Sequence, residues 1–312
     1  MNVIGKRFWF FLISGVFIII GIIALSTYGF KSSIEFSSGS ILGVKFETPV
    51  DYNQFKQAVT KLGYSDAIVQ STTSGTAIQS TSSDFTIRTR ELTDAERIQI
   101  ETSLADSFGK LSETQFSRVP ALVAAETARN AILAVIVAMV GILLYVTWAF
   151  RKMPKPFRFG TCSVIALFHD VLVTGGLFSL LGGLLGWEIN LMFITGILTI
   201  IGYSINNTIV VFDRIRENET KGLSADFESV VNSSVVETMG RSFNTSITVL
   251  IVTVALLIFV GATIQNFAVV LLIGNIIGTF DSVFVAPGLL VVWDKGEWGR
   301  FIGRKAAAPA KA

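Results

Sequence analysis

The sequence predicts an α-helical polytopic membrane protein with six transmembrane helices and an extracytoplasmic α+β, ferredoxin-like domain between the first and second helices. Two features carry that prediction: six apolar runs about as long as a bilayer is thick, and one polar stretch after the first of them. Of the 312 residues, 51% are apolar and only 15% charged. Mean hydropathy is +0.62, which is far from the charged surface of a soluble domain of this length. A net charge of +2 points to no nucleic-acid or acidic partner, and the single cysteine, Cys162, excludes an internal disulfide.

The first run, residues 8 to 30, follows Lys6 and Arg7 and exceeds the apolar core of a cleavable signal peptide. No convincing small-residue cleavage site accompanies it, so it reads as an uncleaved anchor. Further spans are expected at about 129 to 150, 159 to 186, 190 to 213, 243 to 262 and 267 to 293. With a cytoplasmic N-terminus, the cytoplasmic segments collect Lys6 and Arg7, then Arg151, Lys152, Lys155 and Arg158, then Arg214, Arg216 and Lys221, then Lys295 and the basic tail. The short turns near 186 to 190 and 263 to 266 hold no Lys or Arg, so the positive-inside rule orients the chain with both termini cytoplasmic. The expected division is 1–30, N-terminal segment and first helix; 31–125, extracytoplasmic domain; 126–294, five-helix bundle; and 295–312, basic tail.

Residues 31 to 125 read strand, helix, strand, strand, helix, strand, the order of a ferredoxin-like module. Asp51 and Gln54 form a possible capping box ahead of Tyr52, Phe55, Val59 and Leu62, with Gly63 placed to stop the helix. Thr93 and Glu96 repeat the device ahead of Ile100, Leu104 and Phe108. Phe85, Ile87 and Thr89 alternate as in a half-buried strand, and residues 71 to 83 form a Ser/Thr-rich hairpin or loop.

Polar residues recur at helical spacing inside the later apolar runs. The third span carries Ser163, Ala166, Asp170 and Thr174, with His169 adjacent; the fourth carries Thr199, Gly202, Tyr203 and Asn206, with Asn207 beside them. The fifth begins with Arg241, Asn244, Thr245 and Thr248, and the sixth holds Gly274, Gly278 and Asp281, flanked by Asn275, Thr279 and Ser282. Ser, Thr and Gly alone fit close helix packing. Asp281, Asp170, His169 and Arg241 ask for more, because an intramembrane charge is costly unless it is paired or used. Arg241 also fits an interfacial anchor, and His169 with Asp170 a satisfied structural pair. Asp213, Arg214 and Arg216 read as the cytoplasmic end of the fourth helix. No catalytic constellation, metal-ligand spacing or phosphate-binding loop appears, so no enzyme activity, metal or cofactor is expected.

The stretch GYSINNTIVVFDRIRE, residues 202 to 217, resembles the fourth-helix signature of the SecF family, in which the SecF subunit works with SecD. SIEFSSGSILGVKF at 33 to 46, VPALVAAETARNAI at 119 to 132 and LFHDVLVTGG at 167 to 176 resemble three further family motifs. The resemblance implies membership of the resistance-nodulation-division superfamily and a plasma-membrane accessory role in Sec-dependent protein export, driven by a proton or sodium gradient. Its implied partners are SecD, the SecY, SecE and SecG channel, a YidC-type insertase, the translocating polypeptide and membrane lipid. The family motif normally reads Asn-Asp, the Asp being associated with ion coupling together with an Arg on the fifth helix. Here the pair is Asn206-Asn207, while the Arg is kept as Arg241. An amide does not titrate near neutral pH. The chain is therefore either an uncoupled variant or one in which Asp281 has taken over the carboxylate, facing Arg241 or the partner subunit. Half of a lipid or drug exporter, or a non-transducing scaffold of the translocase, are the alternatives.

Overall fold

The computed structural model describes residues 1–71, 81–259 and 264–302. The chain divides into two compact units, Ser32–Ala131 and the remainder. Outside the first of these run α1 (Arg7–Tyr28), α6 (Phe157–Leu185), α7 (Leu191–Thr220), α8 (Phe227–Phe259), α9 (Gln265–Phe280), a π-helical turn (Asp281–Val285) and α10 (Ala286–Lys295); α5 (Ala121–Ala149) begins in one unit and ends in the other. Among the described residues, six helical segments are long and apolar enough to cross a membrane, the last being α9, the π turn and α10 in sequence.

Within Ser32–Ala131 lie a short α2 (Ile34–Ser37), β1 (Gly39–Asp51), α3 (Tyr52–Lys61), β2 (Ile68–Ser71), β3 (Thr81–Thr89), α4 (Asp94–Phe108) and β4 (Leu111–Val119). The antiparallel sheet has the order β2-β3-β1-β4, the ferredoxin-like arrangement. Asp51 caps α3, accepting the N–H groups of Asn53 and Gln54 at 2.9 and 3.0 Å. At α4 the full reciprocal box forms: the Thr93 hydroxyl accepts the Glu96 N–H at 3.3 Å, and the Glu96 carboxylate accepts the Thr93 N–H at 2.8 Å. Phe55 and Phe85 stack at 4.1 Å in the middle of the core, with Phe46 edge-on to both. Most of the expected loop at 71 to 83 lies outside the described residues; its ends, Ser71 and Thr81 to Ser83, belong to β2 and β3.

The other unit is held by small residues that let backbones meet. A Cβ on Gly176 of α6 would lie 2.3 Å from the Gly21 Cα of α1. Just beyond this crossing Ser179 donates to the Gly29 carbonyl at 2.5 Å. Down the α7–α9 seam, Gly196, Gly274 and Gly278 face Val270, Ile200 and Ser204. Less than a fifth of the apolar window of α1, α5 or α8 is buried, against half or more in α6, α7 and the sixth span. The first three therefore form the outer layer, and their large apolar side chains face the lipid.

Candidate functional site

The sixth span breaks its α geometry where the polar residues concentrate. Pro287 has no N–H to return to the carbonyl of Val283, so a regular α-turn is unavailable there. The chain instead makes a π turn in which the Ala286 N–H bonds the Asp281 carbonyl. Asp281 and Ser282 at its start are fully buried.

Asp281 faces α6. Its Oδ2 lies 2.6 Å from His169 Nδ1, and the next residue, Asp170, brings Oδ1 within 4.0 Å of the same nitrogen. Ser204 of α7 donates to Asp170 Oδ2 at 2.5 Å, and Ser14 of α1 meets His169 Nε2 at 2.5 Å. The Ser282 hydroxyl lies 2.9 Å from that of Thr208 and donates to the Ser204 carbonyl at 3.0 Å. Gly278 makes the approach possible, because a Cβ there would sit 2.9 Å from Ser204 Cβ and 3.4 Å from Asp170 Oδ2. Among the described residues, His169, Asp170 and Asp281 are the group whose potential ligand atoms all lie within 4.8 Å of one another.

A second network surrounds Ser246 of α8. Its hydroxyl lies 2.5 Å from that of Thr279 and accepts from Tyr203 at 3.1 Å, while the Asn207 amide approaches it at 3.5 Å. Asn275 donates to the Ser246 carbonyl at 2.9 Å. Asn207 is thus buried among neutral donors and acceptors.

Ser163 and Thr174 of α6 are buried, whereas the polar positions left on α7 and α8 face away from the chain's own interior. Thr199, Gly202 and Asn206 on α7 are exposed, as are Arg241, Asn244 and Thr248 on α8, with Thr245 half-buried. Thr245 and Thr248 satisfy their hydroxyls on backbone carbonyls of their own helix at 2.9 and 2.7 Å. The expectation that Asp281 faces Arg241 is corrected by this geometry. The carboxylate is on the α6 side of the sixth span and is paired with His169, whereas Arg241 lies on the outer side of α8. Asp213, Arg214 and Arg216 do not end α7, which continues to Thr220. There Arg214 bonds Glu217 at 2.6 Å and also Glu237 of α8, and Arg216 pairs with Asp213.

Ser14, Ser204, Thr208 and Ser246 belong to these networks and are absent from the sequence-based expectation. Ser14 is a lone hydroxyl in an apolar run, and only its partner on another helix marks it. Ser246 lies within SFNTSIT, where the serine on the opposite face from Arg241 gave no distinct signal.

The relatives of this chain agree with one another. The family model for the C-terminal region of the protein export membrane proteins SecD and SecF matches residues 99–296. A protein translocase subunit SecF from Thermobaculum terrenum is 40% identical over 97% of both chains, and one from Anaerolinea thermophila is 37% identical over the full length of both. Among solved structures, the translocon-associated SecDF of Thermus thermophilus superposes with a TM-score of 0.78 at 30% identity, covering 94% of this chain and 38% of that one. SecDF in its super-membrane-facing form gives 0.66 at 28% identity, with 98% and 40% covered. The chain therefore spans about two-fifths of the solved SecDF chains but nearly the whole of these SecF relatives. A six-span bundle, an α+β insertion after its first helix and full-length similarity to those subunits together place the chain in the SecD/SecF family of protein export membrane proteins, as a protein translocase subunit of the SecF type.

Proposed function

We propose that this subunit works as one half of a SecD–SecF pair that assists polypeptide export through the Sec channel, drawing on a proton or sodium gradient across the plasma membrane. The observation that carries the reading is the polar outer face of α7 and α8: Thr199, Asn206, Arg241, Asn244 and Thr248 are exposed on helices long and apolar enough to cross a membrane. Amide and guanidinium groups facing acyl chains cost several kcal/mol, which a polar surface on a second protein removes. Similarity to about two-fifths of SecDF supports a SecD-like half as the occupant. In this reading both termini are cytoplasmic, the ferredoxin-like domain meets the polypeptide outside the membrane, and the channel proteins and an insertase are outer partners. The subunit hydrolyses no ATP.

Site-directed cross-linking in native membranes tests the partnership. Asn206→Cys or Asn244→Cys is expected to give a cross-link to a SecD-type chain, while Val137→Cys on lipid-facing α5 gives none. Adducts of this chain with itself at all three positions would overturn the reading.

The burial of Asn207 among neutral groups favours a second reading, a scaffold of the translocase that transduces no ion flow. Current in proteoliposomes holding this chain with its SecD partner separates the two. Current as written supports transduction, and current only after Asn207→Asp supports the scaffold.

A further inference from the structure

The cluster of His169, Asp170 and Asp281 lies entirely within this chain, on the α6 side of the bundle and away from the polar outer face of α7 and α8. Its charges do not balance. Two carboxylates face one imidazole, and among the described residues no lysine or arginine lies within ion-pair distance of either. The other groups facing the cluster are hydroxyls: Ser14 from α1, Ser204 and Thr208 from α7, and Ser282 from the π turn. α9 contributes Gly278, which has no side chain to offer.

The hydrogen bonding is incomplete in the same place. Both aspartates are fully buried, yet Asp170 Oδ1 and both oxygens of Asp281 lack a hydrogen bond, as does His169 Nδ1 despite lying 2.6 Å from Asp281 Oδ2. Water is a poor candidate for the missing partner. The crevice that reaches His169, about 270 Å³ between Phe17, Val173, Leu177, Ile277 and Phe280, is walled by hydrocarbon. A buried carboxylate left in this condition costs several kcal/mol.

Even with a doubly protonated imidazole, the cluster retains one negative charge. One monovalent cation neutralises it. A divalent metal fits less well: tetrahedral ligands about 2.0–2.2 Å from one ion sit about 3.3–3.6 Å apart, whereas His169 Nδ1 and Asp281 Oδ2 are 2.6 Å apart, close to the separation of an N–H···O⁻ pair.

We propose that His169, Asp170 and Asp281 form a binding site for one exchangeable monovalent cation, carried as a proton shared by the two carboxylates on the oxygens that lack partners. The proton adds to one carboxylate oxygen and leaves by the same bond, so a load is a single charge and no other bond changes. His169, 2.5 Å from Ser14 at one nitrogen and 2.6 Å from Asp281 at the other, fixes the spacing of the pair. The proposal concerns the occupancy of this chain alone, so it stands whether or not a SecD-like half covers α7 and α8.

Infrared difference spectroscopy on the full chain in proteoliposomes tests it, read at the carbonyl stretch of a protonated carboxylic acid. The chain as written is expected to show one such buried band, moving on exchange into deuterium oxide. Asp281→Asn and Asp170→Asn, both isosteric, are each expected to abolish it, because one carboxylate opposite one imidazolium is already neutral. Sodium chloride at fixed pH that removes the band, where potassium chloride does not, assigns sodium as a competing occupant of the same single-charge site. No sodium effect leaves the proton as the cation. Absence of an acid band from the chain as written, at every pH at which it stays folded, overturns the proposal without recourse to any variant. So does a band that survives both substitutions.

Discussion

At the scale of single residues, charge pairs are strong only where geometry fixes them. Glu96 shows this in the ferredoxin-like domain. The Arg90 guanidinium, hydrogen-bonded to the carboxylate at 2.6 Å, and then the Thr93 N–H and hydroxyl hold its pKa down at about 2. A carboxyl whose pKa is lower folded than unfolded stabilises the fold above its unfolded value, about 4.5, and loses that contribution as pH falls through the folded value. Hydrogen-exchange protection of the first turn of α4 is therefore expected to decline between about pH 4.5 and 2, and Glu96→Gln should flatten that decline. Protection that is the same in both proteins across this window would remove the link. The capping box itself was legible, because Thr-x-x-Glu ahead of an apolar run has one local meaning. Asn206 and Asn207 were not separable in the same way. Neighbours on a helix point about 100° apart, and α7 is polar on two sides, so the sequence does not say which amide turns inward. The answer depends on Ser246, which belongs to another helix.

At the scale of elements, backbone proximity decides what each seam tolerates. Gly176→Ala places a methyl group 2.3 Å from the Gly21 Cα, which is backbone and cannot rotate away. The α1–α6 crossing must then open, at an expected cost of about 1–3 kcal/mol, read as a lower melting temperature in detergent. Gly15→Ala, with no atom within 4 Å of the added carbon, is expected to leave melting unchanged or slightly raise it. Equal effects at the two positions would mean that the crossing is not close-packed. The Gly274 and Gly278 stripe was readable from sequence because its spacing repeats down one face. Helix ends were less so. α8 starts at Phe227, well before the apolar run expected from 243, because the length criterion detects hydrocarbon and not helix. The π turn was equally hidden, since its cause, Pro287, lies after it and also fits a simple kink.

At the scale of the molecule, the two ends of the bundle sequence are tied together. Arg7, almost fully buried, donates to Glu228 of α8 at 2.9 Å and to Glu297 beyond α10 at 2.5 Å, while Lys295 also pairs with Glu228. Asn232 of α8 accepts the N–H groups of Val3 and Ile4 at 2.8 and 3.1 Å. Arg7→Ala leaves two carboxylates without their shared partner, so a loss of about 3 kcal/mol is expected. Arg7→Lys should recover only part of it, because an ammonium has no fork with which to reach both acids. Thermal melting of the three proteins checks the order, and an Arg7→Ala chain as stable as the parent would show that the clasp is ornamental. The six spans and the external module could be read from composition because each repeats one signal many times. The clasp and the His169 cluster could not, since each joins residues more than a hundred positions apart.

The polar outer face of α7 and α8 also bears on the life of the protein in the cell. A newly inserted copy without a companion would present Asn206, Arg241 and Asn244 to lipid, where unsatisfied amide and guanidinium groups are costly. A copy left uncovered is then expected to turn over faster than a covered one, so its abundance would follow the supply of the covering protein more than its own rate of synthesis. Matched subunit numbers would follow from turnover, with no need for matched expression.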